Sequence, residues 1–264
     1  MLTSIRGLVA ATLVIASGMA AAPALADETD PPKAITFTGN VALVSDYRFR
    51  GLSQSSGDPA IQGSMNVNHS SGFYAGFWAS STDFKVLGPV VDAVYGNQEI
   101  DLYAGWTGPI ASGVTFDGGL LYYAYPSGHL GKAEYFEPYA SLAGTLGPVT
   151  AKAGVAYAWK QAALDFNGDG KKDDNVYVYG ELSGGIPNTP LSLNSHIGYT
   201  KGALSPKFAT GSSANFDGGF DYSVGASYAI TKNLSIAANY VAVDGNSINK
   251  YSDDTVVGTI KLVF

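Results

Sequence analysis

The chain has 264 residues, 33 of them glycine, with 14% charged residues, no cysteine and a formal net charge of −7. That length allows one large domain or two small ones, and the charged fraction is well under the ~25% of soluble domains. The lack of cysteine excludes a disulfide scaffold, a thiolate metal site and a Cys nucleophile. The acidic balance argues against a nucleic-acid partner, and a single long apolar run excludes a multi-span helical membrane protein.

That run opens the chain. Arg6 precedes an apolar stretch from Gly7 to Ala22, followed by Ala24-Leu25-Ala26 and then acidic Asp27-Glu28. Residues 1–26 therefore read as a secretory signal peptide. An uncleaved anchor is the alternative, but the apolar core is short for a span. Residues 27–34 are expected to form a short periplasmic segment, and 35–264 a single barrel domain.

From Ile35 onward the pattern has period two, as strands with unlike faces require. Phe37, Val41 and Leu43 alternate with Thr38, Asn40 and Ala42, and Ile100, Leu102 and Trp106 with Glu99, Asp101 and Tyr103. The pattern predicts about twelve strands, at 35–50, 60–69, 72–82, 98–107, 113–125, 134–145, 148–160, 175–184, 190–200, 215–230, 233–243 and 253–264. These lengths suit tilted strands crossing a bilayer. Short and long connections alternate along the chain, the long ones at 51–59, 83–97, 126–133, 161–174, 201–214 and 244–252. Tight turns at one end and longer loops at the other are a habit of membrane barrels. The expected fold is thus all-β, a closed antiparallel transmembrane β-barrel with both termini periplasmic.

Parity places Phe37, Phe73, Trp106, Phe116, Tyr228 and Phe264 on the apolar face at the turn end, and Phe49, Trp159, Phe216 and Tyr240 at the loop end. Two aromatic girdles are expected where lipid meets water. The terminal Phe264, with Leu262, Ile260 and Val256 on its face, resembles the signal read by the outer-membrane assembly machinery, which is the partner expected there besides outer-membrane lipid. Closure on strand one would pair the last strand's free edge.

The stretches Ser45-Asp46-Tyr47-Arg48-Phe49-Arg50-Gly51-Leu52-Ser53-Gln54-Ser55, Pro59–Gly63, Gly72–Ser80, Glu99–Gly105 and Tyr122–Pro126 resemble the TorF family of porins, small Gram-negative outer-membrane barrels. The resemblance covers about the first half of the barrel, with the first stretch the most specific. It implies an outer-membrane pore-type protein and offers no substrate or binding residue.

The pore-lining candidates by parity are Asp46, Arg48, Arg50, Glu99, Asp101, Tyr103, Asp117, Glu137, Glu181, Asp217 and Asp221, with Lys152, Lys160 and Lys261 as further inward charges. Arg48 and Arg50 are expected to meet carboxylates near Asp58 and Asp253-Asp254 at the mouth, orienting small polar solutes or simply neutralising buried charge. Acidic residues outnumber basic ones in this set, a slight lean towards cations. Inward tyrosines (Tyr74, Tyr103, Tyr123, Tyr125, Tyr139, Tyr177, Tyr179) could stack on solutes or fill the interior.

The loop at 165–174 places Asp165, Asn167, Asp169 and Asp173 at calcium-loop spacing, but lacks the closing Glu and flanking helices, so weak calcium binding stands beside a hydrated turn. No other cofactor is expected. Of three histidines only His196 should face the lumen, and neither G-x-S-x-G nor H-E-x-x-H occurs. The expected function is a porin-like diffusion channel in the bacterial outer membrane. The alternatives are a non-conducting structural or adhesin barrel, or an outer-membrane hydrolase. The 83–97 loop, through Val86–Val91, is the candidate to fold inward.

Overall fold

In the computed structural model the structure describes residues 34–166 and 168–264. The signal-peptide reading of 1–26 and nearly all of the 27–34 segment lie outside the described residues. Twelve antiparallel strands close a barrel among the described residues: β1 (Ile35–Val44), β4 (Ala60–His69), β5 (Phe73–Ser81), β6 (Gln98–Ala111), β7 (Val114–Ala124), β8 (Tyr135–Leu146), β9 (Val149–Gln161), β10 (Asp173–Gly185), β11 (Leu191–Gly202), β12 (Gly219–Ala229), β13 (Leu234–Val243) and β14 (Thr255–Val263). Each pairs with its neighbour in sequence, and β14 closes on β1 with Val41 opposite Leu262. The Phe264 amide and carbonyl exchange hydrogen bonds of 3.0 and 2.9 Å with Gly39. No barrel strand keeps a free edge, which is what a backbone in lipid requires.

The side chains sort by parity. Outward residues are greasy and exposed, such as Leu43 (52%), Ile197 (55%) and Val256 (63%), while inward residues on the same strands such as Ala42, Thr200 and Val257 are buried. The interior is not a dry core. Its largest buried side chains include tyrosines, carboxylates, Asn175 and Thr200, as expected of a lumen rather than of a soluble sandwich.

Two short strands, β2 (Arg48–Phe49) and β3 (Leu52–Ser53), form a separate hairpin. This corrects the first predicted strand, which ends at Val44 and not at residue 50. The Arg50-Gly51 turn has φ of +48° and +83°, the paired positive values that a two-residue hairpin demands. The chain therefore reverses there instead of running on. Phe49 consequently leaves the outer girdle and packs inside. Phe216 also leaves it, because β12 starts at Gly219, not 215, and Phe216 packs in the preceding loop against Phe208. Trp159 and Tyr240 stay on the outer face.

The 82–97 loop does not fold inward. It forms a 3-10 turn (Lys85–Leu87) and helix α1 (Pro89–Tyr95), with Val90 64% exposed. Only its flanks are drawn in, where Phe84 and Tyr95 stack (4.8 Å between centroids) and Tyr95 meets Tyr125.

Candidate functional site

The segment from Ser45 to Pro59 turns into the loop end of the barrel and is fastened on three sides. Asp46 accepts hydrogen bonds from the hydroxyls of Ser53 (2.6 Å) and Ser55 (3.1 Å) and pairs with Arg48. Arg48 Nη1 donates to the carbonyls of Gly51 (3.1 Å), Tyr251 (3.0 Å) and Asp253 (3.0 Å), and Nη2 to the Asp253 carboxylate (3.3 Å). Arg50, at the hairpin tip, donates from Nη2 to both oxygens of Glu137 on β8 (2.8 and 2.7 Å). Its guanidinium lies 4.2 Å from the centre of the Tyr177 ring on β10. The tip thus reaches two separate stretches of the barrel wall.

Arg48 meets Asp253, as expected, and also Asp46, while Arg50 meets Glu137 instead of Asp58 or Asp254. Asp58 instead pairs with Lys250 (2.9 Å); that hydrogen bond raises the Lys250 ammonium above its ordinary range. Asp254 accepts a hydrogen bond from Tyr240 on the outer face.

Beneath the hairpin lies a cavity of about 150 Å³. Of the pore-lining candidates, Asp46, Arg48, Arg50, Asp117, Glu137, Glu181 and Asp221 stand on its wall. Glu99, Asp101 and Tyr103 do not. Glu99 (2% exposed) and Asp101 (0%) are sealed behind the hairpin, where Tyr125 donates to Glu99 (3.1 Å) and Tyr47 packs on Trp78 (5.2 Å). Tyr103 donates to Asn66 (2.6 Å). Parity assigns these three correctly to the interior, but they are buried away from the cavity wall.

Asp217 is not pore-lining. It is exposed in the 203–218 loop, where it accepts hydrogen bonds from Ser213 and, at its carbonyl, from Ser205. Lys160 is likewise exposed, whereas Lys152 and Lys261 are partly buried.

On the opposite wall His196 sits between two carboxylates. Its Nδ1 lies 3.2 Å from Glu181 and its Nε2 3.1 Å from Asp221. Tyr177 bonds the same Nε2 (2.7 Å) and donates to Asp221 (3.1 Å). Lower down, Tyr74 donates to Asp117 and meets the Tyr139 hydroxyl. Lys152 lies 5.6 Å from the centre of the Tyr179 ring. These side chains make a polar belt around the cavity.

The belt depends on glycines that the alternation pattern did not single out. Inward Gly76, Gly105, Gly119, Gly154 and Gly198 lie under the rings of Tyr103, Tyr74, Tyr139, Tyr179 and Tyr177 respectively, where a Cβ would come within 2.9 Å of the ring or closer. Each tyrosine lies flat along the wall because the neighbouring strand has no side chain there. A Tyr on one strand facing a Gly on the next, at inward parity, is the signal that would have revealed this.

In the 165–174 loop, Asp165 accepts from the Gly170 amide (3.0 Å) and Asp169 from the Lys171 amide (2.8 Å). Hydrogen bonds from Lys171 hold the Asp169 carboxyl below its usual range. Asn167 lies outside the described residues. Among the described residues no group of three His, Cys, Asp or Glu side chains is arranged to hold a metal ion.

A closed barrel with a lipid-facing apolar band, a polar lumen and a loop folded into its mouth defines a transmembrane β-barrel of the porin type. Residues 28–263 match the family described as a bacterial protein of unknown function (Gcw_chp), and the chain belongs to that family. No curated protein sequence matches it. Among solved structures it is similar to the NanC porin (13% identity, TM-score 0.57, covering 86% of this chain and 98% of that one). It is similar also to the KdgM porin (8%, 0.53, 87% and 98%), a porin solved in complex with disordered oligogalacturonate as well. An outer membrane channel from Pseudomonas putida F1 shares the fold too (13%, 0.50, 89% and 99%).

Proposed function

We propose that this protein is an outer-membrane channel through which small polar or charged solutes diffuse passively. The observation that carries this reading is a cavity beneath the mouth hairpin whose wall carries Asp117, Glu137, Glu181, Asp221, Lys152 and His196, inside a barrel whose outer face is apolar. The likeness to the NanC and KdgM porins supports it, as do the stretches that resemble TorF-family porins. In this reading the turn end and both termini face the periplasm, and Phe264 is the residue presented to the assembly machinery. The solutes are small, because the cavity beneath the hairpin holds only about 150 Å³.

A hydrolase is not part of this proposal. His196 has both ring nitrogens engaged by two carboxylates and Tyr177, which we read as charge pairing within the wall. A second reading, a non-conducting barrel, is favoured by one observation: the hairpin occupies the mouth and seals Glu99 and Asp101 from the cavity. Single-channel recording of the folded barrel in planar bilayers separates the two. Stable conductance steps support the channel, and silence from correctly folded protein overturns it.

A further inference from the structure

We infer that the channel passes cations in preference to anions, and that Asp117 and Glu181 set this preference; the inference rests on the channel reading above. A count of charges by parity includes groups that the fold has already neutralised. Arg50 is matched by Glu137 and Arg48 by Asp46, with Asp253 as a further carboxylate on Arg48. The two arginines therefore offer little net positive charge to a passing solute.

What remains on the cavity wall is Asp117, Glu181 and Asp221 against Lys152, which stands across the ladder from Glu181, and His196, which lies between Glu181 and Asp221. Carboxylates exceed cations there even when His196 carries a proton. Lys261 also points inward but is not on that wall. Asp117 and Glu181 are only partly buried, whereas Asp221 is 3% exposed, so the first two are the acids a solute in the cavity meets.

Two tyrosine faces of the wall already hold cations. Arg50 and Lys152 already place a guanidinium and an ammonium on the faces of Tyr177 and Tyr179, an arrangement that the ring quadrupole favours for cations and disfavours for anions. The loops at that end carry more Asp and Glu than Lys and Arg, and a mouth lined by one sign of charge concentrates counter-ions ahead of the narrow part.

The test is the reversal potential of the folded barrel in a planar bilayer under a KCl gradient. The expected permeability ratio of potassium to chloride is roughly 3 or more, falling towards about 1 in the Asp117→Asn, Glu181→Gln double variant. Both replacements keep shape and a hydrogen-bond acceptor for Tyr74 and His196. If the double variant does not fold, each single variant is read alone, and each should lower the ratio. Conductance with a ratio at or below one overturns the cation preference while leaving the channel intact. An unchanged ratio in folded variants removes Asp117 and Glu181 as its source. Silence of the folded wild-type barrel overturns the channel reading and this inference with it.

Discussion

Arg50 is the residue on which the mouth turns. It holds a positive φ that a non-glycine residue adopts at some cost, and its ion pair with Glu137 offsets that cost. Both partners are buried, at 8% and 2% exposure. Arg50→Ala leaves the Glu137 carboxylate with only the Tyr123 hydroxyl (3.0 Å), so we expect a loss of about 3–5 kcal/mol, measured as a lower midpoint of urea unfolding in micelles. Replacing both partners by apolar residues should recover much of it. The glycines under the tyrosines are equally exact in their demands. At Gly154 a Cβ would lie 2.4 Å from the Tyr179 ring, whereas at Gly180 it meets nothing nearer than 4.0 Å. Gly154→Ala should therefore cost roughly 1–3 kcal/mol by overpacking, and Gly180→Ala should be close to neutral in the same unfolding measurement.

The mouth hairpin buries Leu52 and sets Phe49 against Tyr123, and polar fastenings at its base and tip complete its attachment. Arg48 joins it to the 251–253 segment through the Tyr251 and Asp253 carbonyls and the Asp253 carboxylate. Arg48→Ala removes these at once. The expected outcome is a larger open-channel current with more frequent flicker in single-channel traces, because a hairpin freed at its base samples positions away from the path. An unaltered current would mean that the hairpin lies outside the conducting route. The strands differ in kind: each is fixed along its whole length by two ladders, so single side-chain changes there alter the lining without moving the backbone.

At the scale of the whole molecule, the barrel is a sheet turned inside out relative to a soluble protein. Its three tryptophans report this directly. Trp106 and Trp159 stand on the outer face, while Trp78 is 9% exposed in the interior against Tyr47. In single-tryptophan variants reconstituted with brominated lipid, Trp106 and Trp159 should be strongly quenched and Trp78 hardly at all. Ile197, 55% exposed near the middle of β11, should not tolerate a charge: Ile197→Arg is expected to cost about 2–4 kcal/mol near the bilayer midplane. Asn194→Arg, three residues away but facing the cavity, should cost less and alter conductance instead.

The amino-acid pattern alone determined the strands, their parity and which end carries the loops. The period of two and the spacing of turn residues are local properties, and lipid outside with water inside makes them unambiguous for Val41, Ile100 or Val256. It also placed Asp46, Glu99, Asp101 and Glu137 inside. Only the tertiary structure decided that the Arg50-Gly51 turn reverses into the barrel, since one alternating run reads alike whether it continues up the wall or folds back from the rim. That reversal took Phe49 from the lipid girdle, and Glu99 is buried away from the cavity wall. The partners of Arg48, Arg50 and His196 come from strands and loops far away in sequence, and barrel closure sets which of them lie across from one another. Alternation tells each residue which way to face; what it faces depends on the other side of the ring.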